Sequence, residues 1–319
     1  MLGKANYRVI DRSVTVWVVI THNLPTKTNF RGINHREVAL FQGPQGWAEF
    51  SPFLEYSDEE SSHWLACAIE AATQAPPTLY RSSIAVNATL PALNGESELA
   101  KILAGFPGCT TIKIKVGTNE EEDLVRIATV RKLNPQAKIR IDVNGLWSVD
   151  QASKFLERCG EIEYVEQPCA SVEELRELKS RIDVKIVGDE ILRKSTNPFE
   201  IDLDGAIDIV MLKVQPLGGI KKAHALATHH KLPVVVSSAL ESAIGINYGL
   251  TLAASFEEMS FDCGLATGSL LASNVAELPI VDGKMQITRL EPNFDGLEVS
   301  ADRFEWWKNR IMRTAALLG

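Results

Sequence analysis

The sequence predicts an α/β protein: a closed barrel of parallel strands and helices, with a smaller α+β unit at its N-terminal end. Three observations lead there. From Ser83 onward, strand-like and helix-like stretches alternate; polar residues ending those strands recur at an even spacing; and the first eighty or so residues lack that alternation. The 319 residues suffice for a large core, and 45% hydrophobic with 23% charged residues is an ordinary globular composition.

In chain order, two strand-like segments at 13–20 (SVTVWVVI) and 37–42 flank a polar loop, THNLPTKTNFRGINHR, that holds Pro25 and Gly32. The first segment is rich in Val, has no small-residue cleavage pattern after it and is too short to span a bilayer, so it reads as a strand and not a leader. The turn GPQG and the strand WAEF follow. A helix then begins at Ser57, with Glu60 three residues on in capping-box spacing, and APP at 75–77 ends it.

Eight candidate strands come next: SIAVNATL, TIKIKV, KIRIDV, EYVEQP, KIVGDE, DIVMLKV, PVVVSS and SFDCGL. Helix-like stretches such as EEEDLVRIATVRKL and IKKAHALATHH separate them. Asp142 to Glu166 is 24 residues, Glu166 to Asp189 is 23, Asp189 to Lys213 is 24, and Lys213 to Ser237 is 24. Eight strands at that beat favour a barrel over its rival, a doubly wound open sheet. A short hairpin (ELPIVDGKMQITRL) and a terminal helix (FEWWKNRIMRTAALLG) close the chain. The expected division is an α+β unit over 1–82, completed by 286–319, and a barrel over 83–285.

A net charge of −8 argues against nucleic acid or an anionic membrane as partner, but not against a small anion. Five scattered cysteines, none spaced C-x-x-C, argue against a disulfide framework or cysteine zinc site and suit a reducing cytoplasm. No glycine-rich dinucleotide or P-loop pattern is present, so no nucleotide cofactor is expected.

The strand ends carry the chemistry. In a barrel, Asp142, Glu166 and Asp189 end consecutive strands at one mouth. Three crowded carboxylates repel unless a cation or protons neutralise them, and an all-oxygen set suits a hard divalent ion such as Mg²⁺, with Mn²⁺ as the alternative. The rival reading makes each acid a helix cap or an arginine partner. Lys113 and Lys115, two apart, share one strand face; solvated lysines on an edge strand are the rival, and a barrel has no edge. Lys113 is expected to depress the pKa of Lys115 and make it a base. Lys213 ends the sixth strand, across the barrel from the second. A metal flanked by opposed lysines suits proton abstraction α to a carboxylate, followed by elimination, racemisation or cycloisomerisation.

The set K-x-K, D-x-N, E-Q-P, D-E and a lysine-bearing sixth strand resembles the muconate-lactonising subgroup of the enolase superfamily. Within it the chain is most similar to the ortho-succinylbenzoate synthases of menaquinone biosynthesis, in their actinobacterial form. The likeness spans most of the chain, through GPQGWAEFSPFLEY, EYVEQPCAS, LKVQPLGGI and VVVSSALESAIG. The resemblance implies a modified TIM barrel, (β/α)7β, under an α+β capping domain, with the loop around Arg31 closing the mouth. It implies Asp142, Glu166 and Asp189 as Mg²⁺ ligands, Lys115 as the base, Lys213 as the opposite-face cation, and Lys113 as the partner lysine. Asn144 and Glu190 would stand behind the metal, and Ser237 and Ser238 would meet the substrate's succinyl arm. The implied reaction, that of a hydro-lyase, is syn dehydration of 2-succinyl-6-hydroxy-2,4-cyclohexadiene-1-carboxylate to 2-succinylbenzoate.

One departure is Val143 where the family usually has Ala; its side chain is expected to point away from the mouth. Arg140 is either a counter-charge beneath Asp142 or a buried structural pair. Racemisation of N-succinylamino acids shares all these residues and is the nearest alternative; a non-catalytic binding relative is the second, and the intact lysines argue against it. PLGGI at 216–220 offers backbone N–H groups to an anion or is a plain turn. The histidines of THHK face different ways on a helix, and Trp306–Trp307 suit packing between the two parts. The expected partner is a small anionic carboxylate, with a monomer favoured.

Overall fold

The structure, a computed structural model, describes residues 18–293 and 295–318. The N-terminal unit opens with an antiparallel sheet of β1 (Val18–Phe30), β2 (Ile33–Gly43) and β3 (Gly46–Phe50). Its first predicted strand falls partly outside the described residues, at 13–17. The predicted polar loop is not a loop. Its two halves are the arms of a hairpin that pairs Thr21 with Ala39 and Pro25 with His35, then slips register before Phe30 meets Ile33. Burial alternates along the first arm, with His22 and Leu24 inside and Asn23 and Pro25 outside. The inward positions are mostly polar, so hydropathy conceals a period of two. The true turn is Arg31–Gly32, with Arg31 at φ 55° and Gly32 at φ 80°.

Helix α1 (Asp58–Thr73) starts where its capping box predicts. Ser57 accepts from the Glu60 N–H, and Glu60 accepts from the Ser57 N–H. Then come β4 (Ser83–Ala85), β5 (Ala88–Leu90), α2 (Glu96–Leu103), β6 (Thr111–Lys115), α3 (Glu120–Leu133), β7 (Lys138–Asp142), α4 (Val149–Arg158) and β8 (Tyr164–Glu166). They are followed by α5 (Val172–Lys179), β9 (Ile186–Gly188), α6 (Glu190–Arg193), β10 (Ile209–Lys213), α7 (Val214–Leu217), α8 (Ile220–His230), β11 (Val234–Ser237) and α9 (Ala243–Ala254). Strands β5 to β11 form one parallel sheet in chain order. Parallel bridges from Cys263 to Val86 and from Gly264 to Ser237 join its two edges, so SFDCGL supplies a rudimentary eighth strand and the barrel closes.

Strand period two sorts the side chains. Ile112, Ile114, Ile141, Val210 and Leu212 join the main buried cluster beneath the helices. Tyr164, Val187, Ile209, Met211 and Val235 form a separate buried plug. Two residues further along, the same strand faces end in Glu166, Asp189, Lys213 and Ser237, above that plug. Val143 is buried in the outer cluster, consistent with its expected direction.

The chain ends with β12 (Ile280–Val281), β13 (Lys284–Gln286) and α10 (Ala301–Ala315). The hairpin pairs with β4, whereas α10 packs on the N-terminal unit. There Trp307 stands edge-on to Phe50 at 5.8 Å and donates to Glu37 at 2.5 Å, so the tryptophan pair is used for packing. PLGGI also finds its anion. The Ile220 N–H donates to Glu70 of α1 at 2.5 Å, and Tyr248 donates to the same carboxylate at 2.8 Å. Among the described residues no helix is long and apolar enough to cross a membrane, and the cysteines are free.

Candidate active site

The register places the predicted groups side by side. Lys115 is level with Asp142, Asp142 with Glu166, and Lys213 with Ser237. Lys115 Nζ donates to Asp142 at 2.6 Å and to Asn144 at 2.7 Å. Lys113 is buried between Asp142 at 2.9 Å and Glu166 at 2.7 Å. Lys213 donates to Asp189 at 2.5 Å. Three strands separate β6 from β10 either way round the closed barrel, so Lys115 and Lys213 face each other across it.

Charge sets the state of these groups. Burial alone would lower the Lys113 pKa, but the Asp142 and Glu166 carboxylates outweigh it and hold the ammonium well above its ordinary value. Burial would raise Asp142, and Lys113, Lys115 and Lys213 together hold it well below the usual carboxylate range. For Asp189, Lys213 and Arg193 outweigh burial in the same way. Glu166 goes the other way: burial, then the charge of Asp142, push it up to about 7. Lys113 and Lys115 meet at the same Asp142 oxygen, Oδ2, at 2.9 and 2.6 Å.

Arg140 is not beneath Asp142 as its counter-charge. It pairs with Glu163 at 2.6 Å, donates to Asn87 and the Asp262 carbonyl, and lies 4.6 Å over the Tyr164 ring. Its role is that of a buried structural pair, because the Lys113 head fills the space between the Asp142 and Glu166 carboxylates.

Above the floor lies a cavity of about 550 Å³, lined by Arg31 and Tyr56 from the N-terminal unit and by Lys115, Lys213, Ser237 and Ser238 from the barrel. Ser238 donates to the Gly264 carbonyl at 2.5 Å and is 2.8 Å from the Thr267 hydroxyl. Glu166, Asp189 and Arg140 do not line the cavity.

Three residues escaped the sequence reading. Gln167 accepts from the Asp189 and Ile191 N–H groups, and so fixes the backbone that presents Asp189. Arg193 donates to both Asp189 oxygens at 3.1 and 3.2 Å and to Glu190 at 2.5 Å. The Tyr56 hydroxyl accepts from Arg193 at 3.2 Å and from Arg31 at 3.0 Å. The spacing of Arg193, three and four residues past two acids, was a readable signal; Tyr56 had none.

The donor set can be tested against a divalent ion. Asp142 Oδ1, Glu166 Oε1 and Glu190 Oε2 are buried without a hydrogen-bond partner. Unpartnered carboxylate oxygens at neighbouring strand ends are what a hard cation satisfies, so these residues fit one. As they stand, Lys113 bridges Asp142 and Glu166, Arg193 bridges Asp189 and Glu190, Lys213 pairs with Asp189, and among the described residues no three acids converge as a ligand cluster.

Comparison with known proteins agrees with this geometry. Residues 98–299 match the enolase C-terminal domain-like family, and residues 21–72 the enolase N-terminal domain-like family. The chain belongs to the enolase superfamily. It is 45% identical over 305 residues to an o-succinylbenzoate synthase of Mycobacterium ulcerans, covering 92% of each chain. It is 44% identical to the synthase of Mycobacterium tuberculosis, covering 92% of this chain and 93% of the relative. Among solved superfamily structures, an N-succinyl Arg/Lys racemase from Bacillus cereus shares the fold with a TM-score of 0.71 at 21% identity, over 90% of this chain and 96% of that one. A mandelate racemase/muconate lactonizing enzyme from Roseiflexus sp. gives 0.72 at 20% identity, over 90% and 100%.

Proposed function

We propose that this protein is an o-succinylbenzoate synthase of menaquinone biosynthesis, a lyase converting 2-succinyl-6-hydroxy-2,4-cyclohexadiene-1-carboxylate to 2-succinylbenzoate and water. The observation that carries the reading is the pair of lysines opposed across the cavity, Lys115 and Lys213, in a chain 44–45% identical to such synthases. A divalent ion, Mg²⁺ or Mn²⁺, held by Asp142, Glu166 and Asp189 would supply Lewis-acid charge beside the ring carboxylate. Lys113 stays an ammonium between two carboxylates, so proton transfer falls to Lys115. Unprotonated, its Nζ takes the proton from the carbon bearing the carboxylate. The same Nζ then returns that proton to the hydroxyl on that face; the C–O bond breaks, a ring double bond forms, and water leaves. Lys213, fixed by Asp189, keeps a cation on the opposite side. Ser237 and Ser238 meet the succinyl arm. Residues 1–82 with 286–319 act as the cap over a catalytic barrel of 83–285. Its free thiols suit a cytoplasmic enzyme.

The test is the loss of cyclohexadiene absorbance with Mg²⁺ and with excess EDTA, for the wild type and Lys115→Ala. Conversion that needs both the metal and Lys115 supports the synthase. Absence of conversion, with α-proton exchange of N-succinylamino acids in D₂O, moves the assignment to a racemase.

A further inference from the structure

Five hydrogen bonds run without a break around the mouth, from the candidate base to the hairpin turn. Lys115 Nζ donates to Asn144 Oδ1 at 2.7 Å, and Asn144 Nδ2 to Glu190 Oε1 at 3.0 Å. Arg193 Nη2 donates to the same Glu190 oxygen at 2.5 Å, and its Nη1 donates to the Tyr56 hydroxyl at 3.2 Å. Arg31 Nη2 donates to that hydroxyl at 3.0 Å from the hairpin turn. The third arm of the Arg193 fork, Nε, holds both Asp189 oxygens. One guanidinium thus touches a candidate metal ligand, the carboxylate that holds Asn144, and the N-terminal unit.

We infer that Arg193 is a positioning residue: it fixes Asp189 and Glu190, and through Glu190 and Asn144 the Lys115 amine, and it ties that set to the lid turn through Tyr56. The claim rests on the assignment of Lys115 as base and Asp189 as ligand. Three features support a geometric role over a merely electrostatic one. Arg193 is nearly buried, with 9% of its side chain exposed, so its fork is held by its partners. Asp189 already has a cation in Lys213, so neutralising that acid does not require a second. The partners are reached from three different nitrogens of one rigid plane, Nε, Nη1 and Nη2, whereas an ammonium carries its three donors on a single atom.

The test uses the full chain and Mn²⁺ as probe, titrated by calorimetry, alongside steady-state kinetics. Arg193→Met is expected to weaken Mn²⁺ binding by about 10- to 100-fold, as loss of a residue orienting a ligand does. Turnover at saturating metal should fall at least about 10-fold, with KM changed far less. Arg193→Lys should do no better than Met, although it keeps the charge. Tyr56→Phe, which cuts only the lid end, should leave Mn²⁺ affinity unchanged and raise KM about 10-fold, the worth of one charge-assisted hydrogen bond. Circular dichroism confirms the fold of each variant. Unchanged or tighter Mn²⁺ binding in Arg193→Met, or full recovery by lysine, overturns the inference: Arg193 would then be a charge plug that metal displaces. An unmoved KM in Tyr56→Phe removes the link to the lid. The titration needs no substrate, so it reads out even where the synthase assignment fails.

Discussion

Between the barrel and the N-terminal sheet lies a buried triplet of charges, and it makes a pH prediction. Glu241 follows β11 and accepts from the Ala239 N–H at 2.6 Å. Burial, then the nearby charge of Glu49, push its carboxyl from 4.5 up to about 7; Arg36 pulls only weakly the other way. Arg36 instead donates to the carbonyls of Leu240, Pro52 and Ser51. The sign follows from proton counting. Between pH 4.5 and 7 the folded protein holds a proton on Glu241 that the unfolded chain has released, so stability falls as pH rises through that window. Each pH unit there is worth about 1.4 kcal/mol, so the loss approaches about 3 kcal/mol by pH 8. Other groups titrate too, Glu166 among them, so the measurement is a difference. Urea unfolding of the wild type and Glu241→Gln is compared at pH 5 and pH 8. The variant keeps an amide oxygen for the Ala239 N–H and carries no charge. Its advantage over the wild type should grow by about 3 kcal/mol from the lower pH to the higher. A constant difference, within about 0.5 kcal/mol, would refute the argument that Glu241 is neutral in the folded state near neutral pH.

Two further outcomes follow from the same packing. Gly219→Ala should cost about 1–3 kcal/mol, because φ +115° there is open to glycine and little else, and the added Cβ would sit 2.6 Å from Glu70 Oε1. Gly46→Ala, at φ +122° with nothing within 4 Å, is the control; an equal loss of Tm in both would show that Glu70 is not the obstacle. Lys113→Met removes the shared cation of Asp142 and Glu166 and leaves Glu166 buried without an ion-pair partner and Asp142 with Lys115 alone, for a loss of about 3–5 kcal/mol in urea unfolding. Added Mn²⁺ should recover part of that loss, and a variant as stable as the wild type without metal would contradict the pairing.

What could be read in the sequence is what short range decides. The α1 start was legible because Ser57 and Glu60 cap each other within one turn. The strand-end acids and lysines were legible because a period of two, repeated every 23 or 24 residues, needs no knowledge of distant contacts. The β1 arm was not, since its inward positions are polar and only the folded neighbours make them interior. Arg140 was ambiguous for the same reason: its partner Glu163 is 23 residues away, and nothing local separates it from Asp142. Tyr56 reaches Arg193 across 137 residues.

The longest-range contacts also explain where a substrate anion can bind. A helix N-terminus with free N–H groups is a ready site for a carboxylate. Helices α8 and α9, which come after the Lys213 and Ser237 strands with only the short α7 intervening before α8, would each offer one. Neither is open. Glu70 of α1 takes the Ile220 N–H and approaches that of Lys221. Glu49 of β3 takes the N–H groups of Ser242 and Gly245 and the Ser242 hydroxyl. Both acids come from the N-terminal unit, so docking that unit on the barrel and filling these positions are one event. A carboxylate entering the cavity is left with the side chains that line it, Lys115 and Lys213 on either side, and with any cation held at the strand ends. The N-terminal ends of α8 and α9 are met here by carboxylates of the N-terminal unit, and the cations that line the cavity are side chains, Arg31, Lys113, Lys115, Arg193, Lys194 and Lys213.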